Sequence, residues 1–177
     1  MNVTVLEEHG YASALLGLSL SYRQDPERMS AVARRLCSLG EGHNKYLESI
    51  VVWLDMTAPR CFWQQFDTYR IGVTKQSEST MHTLTSRPLG QDDFARPVPD
   101  EYLAYLNDRI ATGDWEGVKA GIPESFQQRR VVCLNYMVLR RMIRQRRTHR
   151  LPEWPEFVEH VLASVEHAEL LEDEGRS

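Results

Sequence analysis

The chain has 177 residues, 42% hydrophobic and 26% charged, with 21 Lys and Arg against 25 Asp and Glu for a formal net charge of −4. That balance predicts one soluble globular domain with enough apolar residues to bury a core. It excludes several classes. Apolar runs such as Ser13 to Leu20 are too short to span a bilayer, and the first ten residues lack the basic start and apolar stretch of a signal peptide. Cys37, Cys61 and Cys133 are odd in number and scattered, which fits neither a disulfide framework nor a zinc knuckle. The expectation is a cytoplasmic protein with no metal site.

Asn2 to Glu8 alternates apolar and polar residues, the period of a strand, and Gly10 breaks it. Residues 11–23 carry helical apolar spacing. Pro26 at a first-turn position and Gly40 beyond the end bracket a second helix over Pro26 to Leu39. Leu47 to Met56 is β-branched and predicts a buried strand. Pro59 opens a short helix through Phe66. Residues 85–99 are rich in turn formers and predict a mobile loop. Asp100 as cap and Gly113 as stop frame another helix. Beyond it the spacing predicts one long helix from about Glu124 to His149, then a last one over Glu153 to Leu171. The sum is a helix-rich α+β domain.

Charge is unevenly spread. Arg140 to Arg150 holds six arginines and His149, and the segment from Glu153 to Glu174 is acidic. A local basic cluster in a mildly acidic chain suits a discrete anion such as a phosphate better than a long nucleic-acid track. A solvated helix face paired with the acidic tail accounts for it equally well. On the expected long helix, Arg140 and Arg144 stand one turn apart and can converge on one anion or carbonyl oxygen. Asn135 lies mid-helix, where its amide needs partners, a backbone contact among them. "GEGHNKYLE" offers His43 and Glu48, the histidine being either structural or catalytic. Cys61 and Cys133 have no base near them in sequence. No serine elbow, Walker loop, dinucleotide fingerprint or HExxH motif occurs. Unaided, these residues describe a protein that binds something anionic.

Taken together, several short elements resemble the flavin-dependent thymidylate synthase (ThyX) family. Gly42-His43 followed by Glu48 stands where the family has a Gly-His and then a Glu. Pro59 and Gln65 match its Pro-led helix carrying a Gln. Thr68-Tyr69-Arg70 falls on the signature Arg-His-Arg, with no gap from His43 onward. Glu78-Ser79 matches the far end of the signature with one residue more than the pattern has, while Ser77 would be one residue early. Asn135 to Arg140 matches a distal Asn-x4-Arg. The chain departs from the pattern at Thr68 and Tyr69. It departs again at Val131, where the family has a cofactor-holding Arg and where Arg129 and Arg130 are the neighbouring substitutes. It is also shorter than family members usually are.

The resemblance implies a compact ThyX-like domain over residues 1–177, with a small central antiparallel sheet, assembled as a homotetramer whose active sites lie at subunit interfaces. It implies FAD as cofactor, methylenetetrahydrofolate as carbon donor and NADPH as reductant. The substrate it implies is a uracil nucleotide, UMP or dUMP, methylated at C5, with neither nucleic acid nor membrane as partner. Arg140 then polarises the uracil carbonyl edge, and Ser79 is the second catalytic candidate, near the base or its phosphate. Gln65, Glu78, Arg129 and Arg130 contact the nucleotide. His43, Thr68, Tyr69, Arg70, Asn135 and Arg144 hold the flavin side, with Tyr69 stacking on its ring. Arg146, Arg147 and Arg150 are read as solvated surface. The altered signature is similar to the short branch that serves nucleoside-antibiotic pathways such as that of polyoxin. Two alternatives stay open: another C5 modification such as hydroxymethylation, or a non-catalytic nucleotide- or RNA-binding protein using Arg140 to Arg150.

Overall fold

A computed structural model describes residues 1–172 of the chain. Strand β1 (Asn2–His9) turns directly into helix α1 (Tyr11–Tyr22) at Gly10. Gly10 has φ of 97°, and a Cβ there would lie 2.1 Å from the Ser49 carbonyl oxygen, so no side chain fits. A 3-10 turn at Pro26–Arg28 leads into α2 (Met29–Cys37), which buries Met29, Ala33, Leu36 and Cys37 at helical spacing. A second 3-10 turn (Lys45–Ser49) precedes β2 (Val51–Pro59). The strand therefore starts later than Leu47, because Tyr46 and Leu47 enter the core from the turn. Helix α3 (Arg60–Phe66) follows Pro59 as expected and buries Phe62, Trp63 and Phe66. Then come β3 (Val73–Ser77), α4 (Thr80–Thr83), α5 (Asp100–Ala111) and α6 (Trp115–Gly121). The chain continues through β4 (Gln127–Asn135), α7 (Tyr136–Arg146) and α8 (Glu153–Ser164).

The expected helix from Glu124 to His149 is thus a strand followed by a helix. β4 lies between β2 and β3 in an antiparallel sheet of order β1-β2-β4-β3, paired with β2 along its whole length. Ladder partners on both sides satisfy its backbone, and Val131-Val132 suits a pleated surface, so tertiary pairing overrides the local helical spacing. The last helix also ends early, at Ser164; a 3-10 turn at Ala168–Leu170 then brings Leu170 and Leu171 back into the core.

Alternation in β2 sends Val52, Leu54, Met56 and Ala58 into the main core, joined by Val132 and Leu134 of β4 and by the aromatics of α3 and α8. On the opposite face Trp53 stands across from Cys133 and Asp55 from Val131, all partly open to solvent. A second, smaller core gathers Leu84, Leu89, Phe94, Val98, Leu106, Val118 and Ile122. It fastens the turn-rich 85–99 segment, where Asn107 exchanges two bonds with the Leu89 backbone (2.7 and 3.0 Å) and Gln91 two with Val98 (2.8 and 3.1 Å). This segment is a packed connection rather than an open loop. No described helix is long and apolar enough to cross a membrane.

Candidate functional site

Asn135 is the last residue of β4 and the N-cap of α7. Its backbone is extended (φ −95°, ψ 164°), and its Oδ1 accepts the Val138 N–H at 3.0 Å, satisfying one of the helix's orphan donors. It is a cap, not a mid-helix amide. Gly72, at φ 72°, approaches so closely that a Cβ would lie 2.8 Å from Asn135 Nδ2. Arg140, just over a turn along α7, is 2% exposed, and its Nη1 donates to the carbonyls of Leu170 (2.9 Å) and Glu172 (2.8 Å). Arg140, Arg141 and Arg144 line a cleft of about 380 Å³ with Asn44 and Met137. Next to Asn44, His43 and Glu48 line a hollow of about 580 Å³ against α1.

The signature residues pack against α7 and α8. Gln65 Oε1 accepts from Trp154 Nε1 at 2.8 Å and from Arg146 Nη1 at 3.4 Å. Tyr69 is 3% exposed; its hydroxyl donates to Gln145 Oε1 (2.8 Å) and accepts from Arg146 Nε (3.0 Å). Its ring meets Phe66 and Trp154 edge-on, with Arg141 and Arg146 close by, so the expected stacking surface for a flavin is closed within this chain. Arg146 is half-buried and lies over the Trp154 ring at 4.9 Å, which corrects the solvated reading of that residue. The correction follows from the helix phase, which turns Arg146 toward α8. Arg147 is exposed and meets Glu172 of the acidic tail, whose Asp173 and Glu174 lie outside the described residues. Thr68 is exposed and donates to the Gln65 carbonyl; Arg70 and Arg150 are exposed.

At the other end of the sheet, the Glu78 N–H donates to the Arg129 carbonyl at 2.9 Å. Ser79 is exposed and starts the short α4, its carbonyl accepting the Thr83 N–H, while Ser77 closes β3 opposite Arg130. Glu78 and Arg129 line a hollow of about 340 Å³ that also holds Arg87 and Asp93. Both arginines expected at a phosphate already face carboxylates. Arg129 is bidentate to Asp55 (2.9 and 2.5 Å). Arg130 binds Asp67 (3.0 and 3.1 Å) while lying 4.4 Å over Trp63, and Lys75 takes the same carboxylate at 2.7 Å. Burial alone would raise the Asp67 carboxyl, but the bonds and charges of Lys75 and Arg130 bring it below its ordinary value. Burial pushes the Cys133 thiol up, away from the thiolate a nucleophile needs.

Arg129 and Asn135 are six residues apart on one strand, roughly 20 Å at the usual rise. The structure therefore gathers His43, Asn135, Arg140 and Arg144 at one end of the sheet, and Glu78, Ser79 and Arg129 at the other. Asp55, Asp67, Gln145 and Trp154 escaped the sequence reading. For the two aspartates the missing signal was β4 as a strand, whose register sets Asp55 across from Val131 beside Arg129.

No protein-family model matches the chain, and no curated protein matches it. Solved structures do. A crystal structure of the flavin dependent thymidylate synthase ThyX from Helicobacter pylori, complexed with FAD and dUMP, aligns at a TM-score of 0.82 and 16% identity, covering 98% of this chain and 99% of that one. A second, of Thymidylate Synthase X from the same organism with FAD and dUMP, aligns at 0.82 and 16% over 98% of both chains. At that identity the likeness is one of fold.

Proposed function

We propose that the chain is a divergent ThyX-type enzyme that methylates uracil C5 in dUMP, UMP or both. One coincidence carries the reading: the motif residues occur in family order along a chain whose fold, over 98% of its length, is that of structures holding FAD and dUMP. The residues present fit those ligands. Arg141 and Arg144 beside Asn44 offer cations to a dinucleotide pyrophosphate, and the Glu78–Ser79 turn offers polar groups to a nucleotide. Bound FAD would supply hydride and methylenetetrahydrofolate the carbon, with NADPH restoring the reduced flavin.

Within this reading Arg140, whose Nη1 is taken by two carbonyls, meets the uracil carbonyl edge only from the cleft it lines, and there stabilises charge developing as C5 becomes nucleophilic. A guanidinium keeps its proton at neutral pH, so its part is electrostatic. Two backbone carbonyls fix it in a buried place, the preorganisation that such a part requires. His43, Thr68, Arg70 and Asn135 are assigned to the flavin side. Tyr69, enclosed by its neighbours, braces the signature against α7. Arg129 and Arg130 reach a phosphate only by giving up Asp55 and Asp67.

The two clusters lie too far apart for one mononucleotide to touch both, so a neighbouring copy completes each site, in keeping with the homotetramer the resemblance implies. The half-exposed sheet face around Trp53 and Val131 supplies apolar surface for such an assembly. The departures at Thr68 and Tyr69 support a place in the short branch serving nucleoside-antibiotic pathways.

Purified protein is expected to be yellow, with a flavin spectrum. Supplied with methylenetetrahydrofolate and NADPH, it should convert dUMP or UMP to a product heavier by one methylene unit, and Arg140→Ala should abolish turnover while flavin stays bound. A hydroxymethyl product would replace methylation by the alternative chemistry. Colourless protein with steeply salt-dependent RNA affinity would overturn the enzyme reading.

A further inference from the structure

The Gln65 amide is held by partners that permit only one orientation. Its oxygen faces Trp154 Nε1 at 2.8 Å and Arg146 Nη1 at 3.4 Å. An indole N–H and a guanidinium are donors only, so the amide atom between them must be the acceptor. The reversed amide would set its own N–H groups against two donors. Neither partner can easily turn aside. Trp154 is fully buried, and Arg146 is clamped between the Tyr69 hydroxyl and the Trp154 ring, with Tyr69 itself tied to Gln145. Gln65 Nε2 therefore carries both its hydrogens away from this network. It has no acceptor among the described residues and is not one of the sealed, unpaired polar atoms.

We infer that Arg146, seconded by Trp154, is a positioning residue that locks Gln65 as a donor, so that this chain reads an acceptor oxygen of its nucleotide at that point. The inference rests on the functional reading above, which sets Gln65 against the nucleotide. Neither Arg146 nor Trp154 belongs to the motif that suggested that reading. The oxygen is a uracil carbonyl or a phosphate oxygen, both of which accept from an amide N–H.

The test is equilibrium binding of dUMP and of deoxyuridine to the flavin-loaded protein by calorimetry. Arg146→Met is expected to weaken dUMP about fivefold and Gln65→Ala about tenfold, the scale of one positioned hydrogen bond. Since Arg146 acts through Gln65, the double variant should bind no more weakly than Gln65→Ala alone. Arg146→Lys, which keeps a donor for Gln65 Oε1, should recover part of the loss. Gln65→Glu keeps an acceptor for Trp154 and Arg146 and so keeps the fold, yet it points an acceptor at an acceptor and should bind dUMP more weakly than Gln65→Ala. Equal losses for deoxyuridine assign the oxygen to the base; losses confined to dUMP assign it to the phosphate. Arg146→Met binding like the unsubstituted protein, independent effects in the double variant, or full affinity in Gln65→Glu would overturn the inference alone. If the unsubstituted protein binds UMP and not dUMP, UMP and uridine replace dUMP and deoxyuridine in these measurements; binding of neither nucleotide would overturn the functional reading, and this inference with it.

Discussion

Arg130 on β4 and Arg146 on α7 are both laid over a tryptophan, 4.4 Å from Trp63 and 4.9 Å from Trp154. What answers their charge differs. Arg130 meets the Asp67 carboxylate, which also takes Lys75. Arg146 meets a phenol oxygen and an amide oxygen, and no carboxylate among the described residues. A carboxylate neutralises the guanidinium it binds, whereas neutral oxygens only accept its N–H groups and have their own orientation fixed by them. The same side chain over the same kind of ring is thus a charge-paired fastening at one margin and a hydrogen-bond donor to neutral oxygens at the other. Counting arginines along the sequence cannot separate the two.

Trp63 and Trp154 are 1% and 0% exposed, and replacing either with Ala should cost about 3–5 kcal/mol in denaturant unfolding. A much smaller loss at one of them would show that the two floors are not equivalent.

The next effect tests the difference. Asp67→Asn leaves Arg130 and Lys75 without their carboxylate and should cost about 1–2 kcal/mol, a modest figure because that side chain is 43% exposed and solvent screens the pair. The folded carboxyl titrates below its ordinary value, so its contribution is fully present above about pH 4 and is lost as pH falls through the lower folded value. The gap between the unsubstituted protein and Asp67→Asn should therefore be flat near neutrality and close on acidification.

Arg146→Met should cost about 1 kcal/mol, the scale of one cation–π contact and its hydrogen bonds. That loss should be the same at neutral and acid pH, since no carboxylate among the described residues is bonded to Arg146. A loss that shrank in acid would reveal a carboxylate answering Arg146 in solution.

How much of this was legible from residues alone follows from how local each signal is. β1, α3 and α5 announce themselves through alternation, Pro59 and Gly113, signals contained within a few residues. β4 does not, because the helical spacing of Tyr136 to Ile143 runs back into it and only β2 and β3, distant in sequence, select the strand. β3 is hidden for another reason: an edge strand reading "VTKQS" is too polar to stand out. Of the candidate site residues, Asn135 and Arg140 were readable as a spaced pair. The groups that hold Arg140, the Leu170 and Glu172 carbonyls, and those that hold Gln65 come from the far end of the chain and carry no motif.

β4 passes into α7 without one intervening residue, Asn135 serving both elements. The junction has no slack. Gaining or losing a single residue between Arg130 and Asn135 would swing every α7 side chain by about 100° around the helix axis and exchange the two faces of the strand. Natural variation can therefore rewrite identities along this span far more freely than it can change its length. Among divergent relatives, the number of residues separating the strand from Arg140 should outlast the residues themselves.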